Sequence, residues 1–272
     1  MGPGRSGETP SGSQSRNRNE LPYIRPFYET AGSCISYFVC CPGSHIAIVI
    51  DPGKDIDQYL RAAAAEECHI THVIDTHIHA DHVSGARKLV GAAGDGSRLC
   101  MTHGAETAFD FEPLREGDEV VAGEAKLKVV ATPGHTKESM SLLYTDTKRS
   151  SEPWGVFTGD CLFVGDVGRL DLDGHGTLNE AYQSLCKLLD LPDYVEVYPA
   201  HYAGSDCASN RTMSFKTTST IGYERRFNRM LQATDLHGFE GLIRENEVSI
   251  PRAWRDIKQY NRGRLESING VR

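Results

Sequence analysis

Short apolar runs separated by turn residues dominate the first two thirds of the chain and predict β-strands. Runs rich in Val, Ile, Tyr and Phe and bounded by Gly, Pro or Asp are typical of strands in a buried sheet. The runs cover residues 35–40, 46–50, 70–75, 98–102, 126–131, 140–145, 155–159 and 194–198. Turn residues separate them, as at Asp51-Pro52-Gly53. The chain therefore contains enough predicted strand to build at least one sheet.

Apolar residues at helical spacing predict helices between and after these strands. In the first predicted helix, Ile56, Tyr59 and Leu60 share one face. The predicted helices cover residues 55–68, 81–93, 177–189 and 254–260. Strands that first follow one another and then alternate with helices predict an α/β fold, with helices layered on sheet.

Composition and charge divide the 272 residues into three predicted parts. Residues 1–20 are mostly Gly, Ser, Pro, Asn and Arg, which bury too little apolar surface to fold, so we expect a disordered tail. Residues 21–210 are expected to form one globular domain. Residues 211–272 are expected to form a basic, mainly helical segment packed on it, because residues 202–272 carry a net charge of +4 and residues 1–201 carry −12.

The overall composition excludes several classes of protein. A net charge of −8 argues against general nucleic-acid binding. No stretch approaches the roughly 18 apolar residues of a spanning helix, and the first residues lack the apolar core of a secretory signal. Eight Cys are too few for a disulfide scaffold of this length. We therefore expect a cytoplasmic protein, or a mitochondrial-matrix one in a eukaryote, without a membrane or nucleic-acid partner.

The segment from Asp75 to His82 contains three His and two Asp directly after an apolar strand. Because residues two apart at a strand end point the same way, His77 and His79 can face one metal ion. Asp81 and His82 are expected to open the next helix and turn away, toward a second ion or a supporting role. Neutral imidazole and carboxylate are standard ligands of zinc and iron, so this cluster predicts a metal site.

Three further residues follow predicted strands and fit the same site. His135 lies in the turn Pro133-Gly134-His135-Thr136, Asp160 follows Thr158-Gly159, and His201 follows Tyr198-Pro199-Ala200. Loops at strand ends on a rigid scaffold commonly carry functional residues. We expect these three side chains to join the first cluster.

In this order the motifs resemble the metallo-β-lactamase superfamily from about residue 23 to residue 201. The motif is His-x-His-x-Asp-His at 77–82, followed by Gly134-His135, Gly159-Asp160 and His201. The resemblance implies an αβ/βα four-layer sandwich with the metal site at one edge. For the two-metal hydrolases of that superfamily, it implies one ion on His77, His79 and His135, another on Asp81, His82 and His201, and a bridge by Asp160.

The residues around Asp160 also resemble one branch, the persulfide dioxygenases related to rhodanese-fused forms. This resemblance covers residues 157–171, 201–210 and 219–225. Leu170 and Ala208 depart from the branch pattern, and no rhodanese domain is expected here. The branch implies an enzyme that oxidises glutathione persulfide, or a similar low-molecular-weight persulfide, with O2 to sulfite and free thiol.

That branch implies one Fe(II) per chain, held by the catalytic residues His77, His135 and Asp160. Two His and one carboxylate leave open positions at which a persulfide and O2 can bind, and zinc cannot supply this redox chemistry. The other donors would then orient ligands or water, or bind a second metal. These are His79, Asp81, His82 and His201.

Three arginines are further candidates. Arg169 is expected to form a buried ion pair with Asp171 or Asp166 and to support the loop that carries the metal ligand. Arg225 and Arg226 could bind the carboxylates of a glutathione-like substrate, or belong to a solvated helix face.

The alternative function is a binuclear thioester hydrolase of glyoxalase II type, a hydroxyacylglutathione hydrolase with two zinc ions. In such an enzyme the metals activate water for attack on the thioester carbonyl. A third hypothesis is a non-catalytic metal-binding protein. It is less favoured because the set of metal ligands is complete and gives no reason for a loss of activity. Symmetric dimers are the commonest oligomers, so we expect a homodimer.

Overall fold

A computed structural model describes residues 21–29, 33–172, 174–209, 212–245, 250 and 253–268. The disordered tail predicted for residues 1–20 lies outside this range. The described chain forms two sheets that share one apolar core, and helices cover their outer faces. The predicted αβ/βα four-layer sandwich is therefore confirmed.

The first sheet contains six strands in their order along the chain. They are β1 (Tyr23–Glu29), β2 (Cys34–Cys41), β3 (Ile46–Ile50), β4 (His69–Ile74), β5 (Arg98–Thr102) and β6 (Glu112–Leu114). β1, β2 and β3 pair antiparallel, whereas β3 through β6 run parallel. The helices predicted over 55–68 and 81–93 lie in the connections from β3 to β4 and from β4 to β5, whereas residues 103–111 join β5 to β6 without a helix.

The second sheet has the order β14-β13-β10-β9-β8-β7. Its strands are β7 (Glu119–Ala122), β8 (Ala125–Ala131), β9 (Met140–Asp146), β10 (Gly155–Gly159), β13 (Glu196–Pro199) and β14 (Ser219–Thr220). Between β10 and β13, the short strands β11 (Leu162–Phe163) and β12 (Asp166–Val167) form a separate hairpin. Only β10 and β13 pair parallel in this sheet.

Among the described residues, six α-helices complete the layers. They are α1 (Asp57–Ala65), α2 (Ala86–Ala93), α3 (Leu178–Leu189), α4 (Ile221–Phe227), α5 (Leu236–Arg244) and α6 (Trp254–Asn261). α1 and α2 pack on the first sheet, and α3, α4 and α5 pack on the second. Within the residues that the structure describes, no helix is long and apolar enough to cross a membrane. The domain division at residues 210 and 211 stays a prediction.

β2 shows why the sheets are sandwiched. All eight of its residues are buried, so both faces of the strand are covered. Tyr37 and Val39 point into the core between the sheets, whereas Phe38 and Cys40 pack against the helix layer. Because side chains alternate along a strand, an unbroken apolar run indicates burial on both faces.

The helix predicted over 81–93 begins only at Ala86, which places Asp81 and His82 in a loop. Gly85 packs so closely on the preceding turn that a Cβ there would meet the Gly53 carbonyl oxygen at 2.2 Å. Its amide donates to the Pro52 carbonyl at 2.8 Å. This tertiary contact holds the chain out of the helix until residue 86.

Candidate metal centre

Four loops, each directly after a strand, bring the predicted ligands together. The loop after β4 carries residues 77–82, and those after β8, β10 and β13 carry His135, Asp160 and His201. Backbone hydrogen bonds join these loops: Met140 donates to Thr76 at 3.0 Å, and Ala200 donates to Gly159 at 3.1 Å. The first sheet thus supplies one part of the site and the second sheet the other.

Asp160 lies at the middle of the site because its two oxygens face different histidines. Its Oδ2 lies 3.4 Å from Nε2 of His135 and 3.7 Å from Nε2 of His77. Its Oδ1 lies 3.4 Å from Nε2 of His201. A carboxylate in this position can bridge two groups of donors.

The second group of donors surrounds Asp81. Oδ2 of Asp81 lies 3.3 Å from Nε2 of His201 and 3.1 Å from Nδ1 of His82. The expectation that Asp81 and His82 turn away from the rest is wrong in one respect. His79 and His82 have ring centroids only 4.3 Å apart, because the loop folds back instead of starting a helix.

Several donor atoms of the site are buried and make no hydrogen bond within the described residues. Buried polar atoms are almost always paired, so a cluster of unpaired ones calls for a ligand. The atoms are Nε2 of His77, Nδ1 of His79, Nε2 of His82, Oδ1 of Asp81 and both carboxylate oxygens of Asp160. Nitrogen and carboxylate oxygen donors that converge in this way fit a metal centre.

A buried carboxylate, Asp51, determines which ring nitrogen carries the proton in two of the histidines. Its Oδ1 lies 3.2 Å from Nε2 of His79, and because a carboxylate only accepts, Nε2 carries the proton. The Thr76 hydroxyl donates to Oδ2 of Asp51 at 2.9 Å, so it can only accept from Nδ1 of His77, 3.1 Å away. The lone pairs of His79 Nδ1 and His77 Nε2 are therefore free for a metal ion.

The backbone carbonyl of Arg169 determines which ring nitrogen of His135 carries the proton. It accepts from Nδ1 of His135 at 3.0 Å, which leaves Nε2 free. The guanidinium forms a bidentate pair with Asp171 at 2.6 and 2.8 Å, one of the two partners expected, and donates to the Asp206 carbonyl at 2.7 Å. The buried Arg169 thus holds the loop that orients His135.

Electrostatics favour the neutral form in two of the histidines and the charged form in three. Burial lowers the pKa of His77 and of His135, so both rings stay neutral. Neighbouring carboxylates raise the pKa of His79, His82 and His201 against the effect of burial, so a metal ion bound there would displace a proton.

Burial alone would raise the pKa of Asp160, but His201 and His77 hold it below its usual range. His82 and His201 likewise lower the pKa of Asp81 against the effect of burial. Both carboxylates are therefore ionised.

The sequence analysis missed Asn261, which lies on α6 far along the chain from the motif. Its Nδ2 donates to the carbonyls of His79 and His82, both at 2.9 Å, and its Oδ1 accepts from the Ser84 amide at 3.0 Å. Trp254 of the same helix packs on Ala80. A single Asn in a polar helix carries no local sequence signal for this role.

The structure gives Arg225 and Arg226 other contacts. Arg225 forms an ion pair with Asp193 and donates to the Leu191 carbonyl at 2.9 Å, near the end of α3. The Arg226 guanidinium lies 5.5 Å from the centre of the Phe227 ring. The Arg225 contacts join α4 to the segment after α3, and the Arg226 contact lies within α4. A role of either arginine in substrate binding stays a prediction.

The chain belongs to the metallo-beta-lactamase superfamily, whose family model matches residues 30–201. One curated relative is a hydroxyacylglutathione hydrolase of Acaryochloris marina, 34% identical over 166 residues, which are 59% of this chain and 61% of the relative. Further relatives at 29–32% identity carry the same name. The chain thus spans about three fifths of the length of the curated relatives it matches.

Solved structures agree with the fold over nearly the whole chain. A metallo-beta-lactamase from Staphylococcus aureus subsp. aureus COL has a TM-score of 0.81 at 30% identity, covering 93% of this chain and 75% of that one. ETHE1 from Myxococcus xanthus has a TM-score of 0.75 at 28% identity, covering 89% of this chain and 100% of that one. The ETHE1 match fits the branch resemblance in the residues around Asp160.

The expected persulfide dioxygenase activity is wrong according to the curated relatives, whose names support the alternative function. That expectation rested on loop residues after Asp160, which do not determine how many donors face the site. The structure places a second donor group, around Asp81, against the same Asp160 carboxylate. This arrangement suits a centre with two ions.

Proposed function

We propose that the protein is a metal-dependent hydrolase of glutathione thioesters, similar in activity to the hydroxyacylglutathione hydrolases. One observation carries the proposal: two groups of buried donors meet at the two oxygens of Asp160. Sites of two closely spaced ions that share a carboxylate are typical of metal-dependent hydrolysis. The names of the curated relatives support the same substrate class.

The proposed ligands divide into two sets that share Asp160. Donors of nitrogen and oxygen favour zinc, although other divalent ions accept the same atoms. His77, His79 and His135 would hold one ion, and Asp81, His82 and His201 would hold the other.

Bound metal ions would lower the pKa of a water molecule and polarise the thioester carbonyl. The chain's own part is to orient the donors, to keep the rings of His77 and His135 neutral and to keep the carboxyl groups of Asp81 and Asp160 ionised. Asp51 and the Arg169 carbonyl hold the protons of His79 and His135 on the nitrogens that face away from the site. Because these donors are buried, their positions are set before substrate arrives, and little reorganisation remains for the reaction.

Metal analysis and a thioester assay test the proposal together. We expect about two ions per chain and hydrolysis of S-lactoylglutathione that is lost when the metals are chelated and restored when they return. The variant Asp160→Ala should lose both ions and all hydrolysis, because it removes the atoms that face both donor groups. A protein that holds its metals yet leaves S-lactoylglutathione and related glutathione thioesters intact would contradict the proposal.

A further inference from the structure

Cys34 lies beside the second donor group, although it belongs to a different strand. It is the first residue of β2 and forms an isolated antiparallel bridge with His201. Side chains of directly opposed residues lie on the same side of such a pair, about 5 Å apart at Cβ. Cys34 is also buried, with 6% of its surface exposed. The thiol therefore faces the donors around Asp81.

The distances among three donor atoms are close to the edges of a metal coordination shell. The Cys34 Sγ lies 3.3 Å from Oδ2 of Asp81 and 3.7 Å from Nδ1 of His82, and that nitrogen lies 3.1 Å from the same oxygen. For a tetrahedral zinc ion with ordinary bond lengths, the edges between ligand atoms are about 3.3–3.6 Å. The three distances lie within about 0.2 Å of these edges. Because Nδ1 of His82 is hydrogen-bonded to Oδ2 of Asp81, an ion bound between them would replace that hydrogen bond.

We propose that the Cys34 sulfur is a ligand of the second metal ion, together with Asp81 and His82. This inference rests on the proposed two-metal function and adds a thiolate to its ligand set. On binding, the S–H bond breaks, the proton passes to solvent, and the sulfur electron pair forms the bond to the metal. A thiolate makes the second position softer than the first, which contains only nitrogen and oxygen donors, and so favours zinc there over manganese.

Cobalt(II) replacement of the native metal ions in the full-length protein tests this inference, because a thiolate bound to cobalt gives a charge-transfer absorption in the near ultraviolet. We expect the band to grow with the second equivalent of Co²⁺ and to be absent from Cys34→Ser. The variant should also bind its second Co²⁺ at least tenfold more weakly, while the first binds as before. Retention of the first equivalent shows that the variant is folded.

Two cysteines provide matched controls. Cys41→Ser changes a buried thiol at the other end of the same strand and should leave the band intact. Cys207→Ser changes the thiol that approaches Asp81 and His201 from another segment, and it should also retain the band. A band that survives in Cys34→Ser and disappears in Cys207→Ser would overturn the inference.

The outcomes separate the inference from the proposed function. Two bound Co²⁺ without a thiolate band would overturn ligation by Cys34 and leave the two-metal centre intact. Only one bound Co²⁺, without the band, would overturn both. In the first case Cys34 acts through its contacts to Asp81 and His82 as a neighbour of the ligands.

Discussion

At the scale of single residues, Asp51 supports two histidines of the candidate metal centre from outside the metal-binding motif, His79 directly and His77 through Thr76. It accepts from the amide and hydroxyl of Thr76 at 2.7 and 2.9 Å and contacts His79 at 3.2 Å. Its backbone adopts the left-handed conformation, with φ at 50°, which Asp tolerates better than most residues. The backbone conformation and these contacts together fix the position of the Asp51 carboxylate.

Asp51→Asn tests this role. The substitution keeps the size of the side chain but removes the charge that holds the proton on Nε2 of His79. We expect metal affinity to fall about 10–100-fold, as when other groups that orient metal-bound histidines are changed. Competition with a chromophoric chelator measures the loss. Asp57→Asn, on the exposed side of α1, should bind metal normally, and equal losses in both variants would refute the role.

Arg169→Lys tests the support of the loop that orients His135. Lysine cannot reproduce the bidentate pair with Asp171 together with the bond to the Asp206 carbonyl. We expect the free energy of unfolding to fall by about 1–3 kcal/mol, measured by urea denaturation. Arg98→Lys alters an exposed ion pair and should change it by less than about 1 kcal/mol. A loss for Arg169→Lys no larger than this control would contradict the prediction.

At the scale of elements, the loop after β4 is held by segments that lie before and after it in the chain. Gly85 packs on the turn after β3, and α6 contacts the loop through Asn261 and Trp254. The superfamily model ends at residue 201, so α6 lies outside the matched segment. The contacts by which α6 supports the metal-binding loop therefore come from outside the segment that the family model matches.

Asn261→Ala tests the support that α6 gives to the metal-binding loop. The substitution leaves the carbonyls of His79 and His82 and the amide of Ser84 without their partner. Each buried polar group left unpaired costs about 1–3 kcal/mol, so we expect a stability loss of at least about 2 kcal/mol and weaker metal retention. Asp256→Ala, on the exposed side of the same helix, serves as the control and should retain both properties. Normal metal retention in Asn261→Ala would show that the loop does not need the hydrogen bonds of Asn261.

At the scale of the whole molecule, the candidate centre connects the two sheets. The first sheet contributes His77, His79, Asp81 and His82 through one loop, and the second sheet contributes His135, Asp160 and His201 through three. An ion bound by both would link the halves of the sandwich across the edge of their shared core. Metal binding should therefore stabilise the whole fold.

Chelation tests this coupling. A ligand present at a thousand times its dissociation constant stabilises the folded state by about 4 kcal/mol. For a chain of this size that corresponds to a fall in Tm of roughly 8–16 °C when the metals are removed. Differential scanning calorimetry with and without chelator measures the shift, and added zinc should reverse it. An unchanged Tm would show that the centre contributes nothing to holding the sheets together.

The pattern of apolar and polar residues predicted most of the long strands, but not the short strands or the start of α2. The apolar runs at 46–50, 98–102 and 155–159 match β3, β5 and β10, because a strand buried on both faces has a strong local signal. β1 was missed since its residues are only half buried, and β11, β12 and β14 since each has only two residues. The start of α2 was placed too early because a tertiary contact, at Gly85, delays it.

The sequence by itself determined the α/β class, because local periodicity identifies strands and helices. Its short motifs, through their resemblance to the metallo-β-lactamase superfamily, supplied the four-layer arrangement and the candidate donors. Only the tertiary structure decided how the donors divide, since Asp160 faces His135 and His201 with different oxygens. It also decided the roles of Asp51, Asn261 and Cys34, which are remote in sequence from the residues they contact. Hydrogen bonds and metal ligation require distances of a few ångströms, and folding alone brings such residues that close.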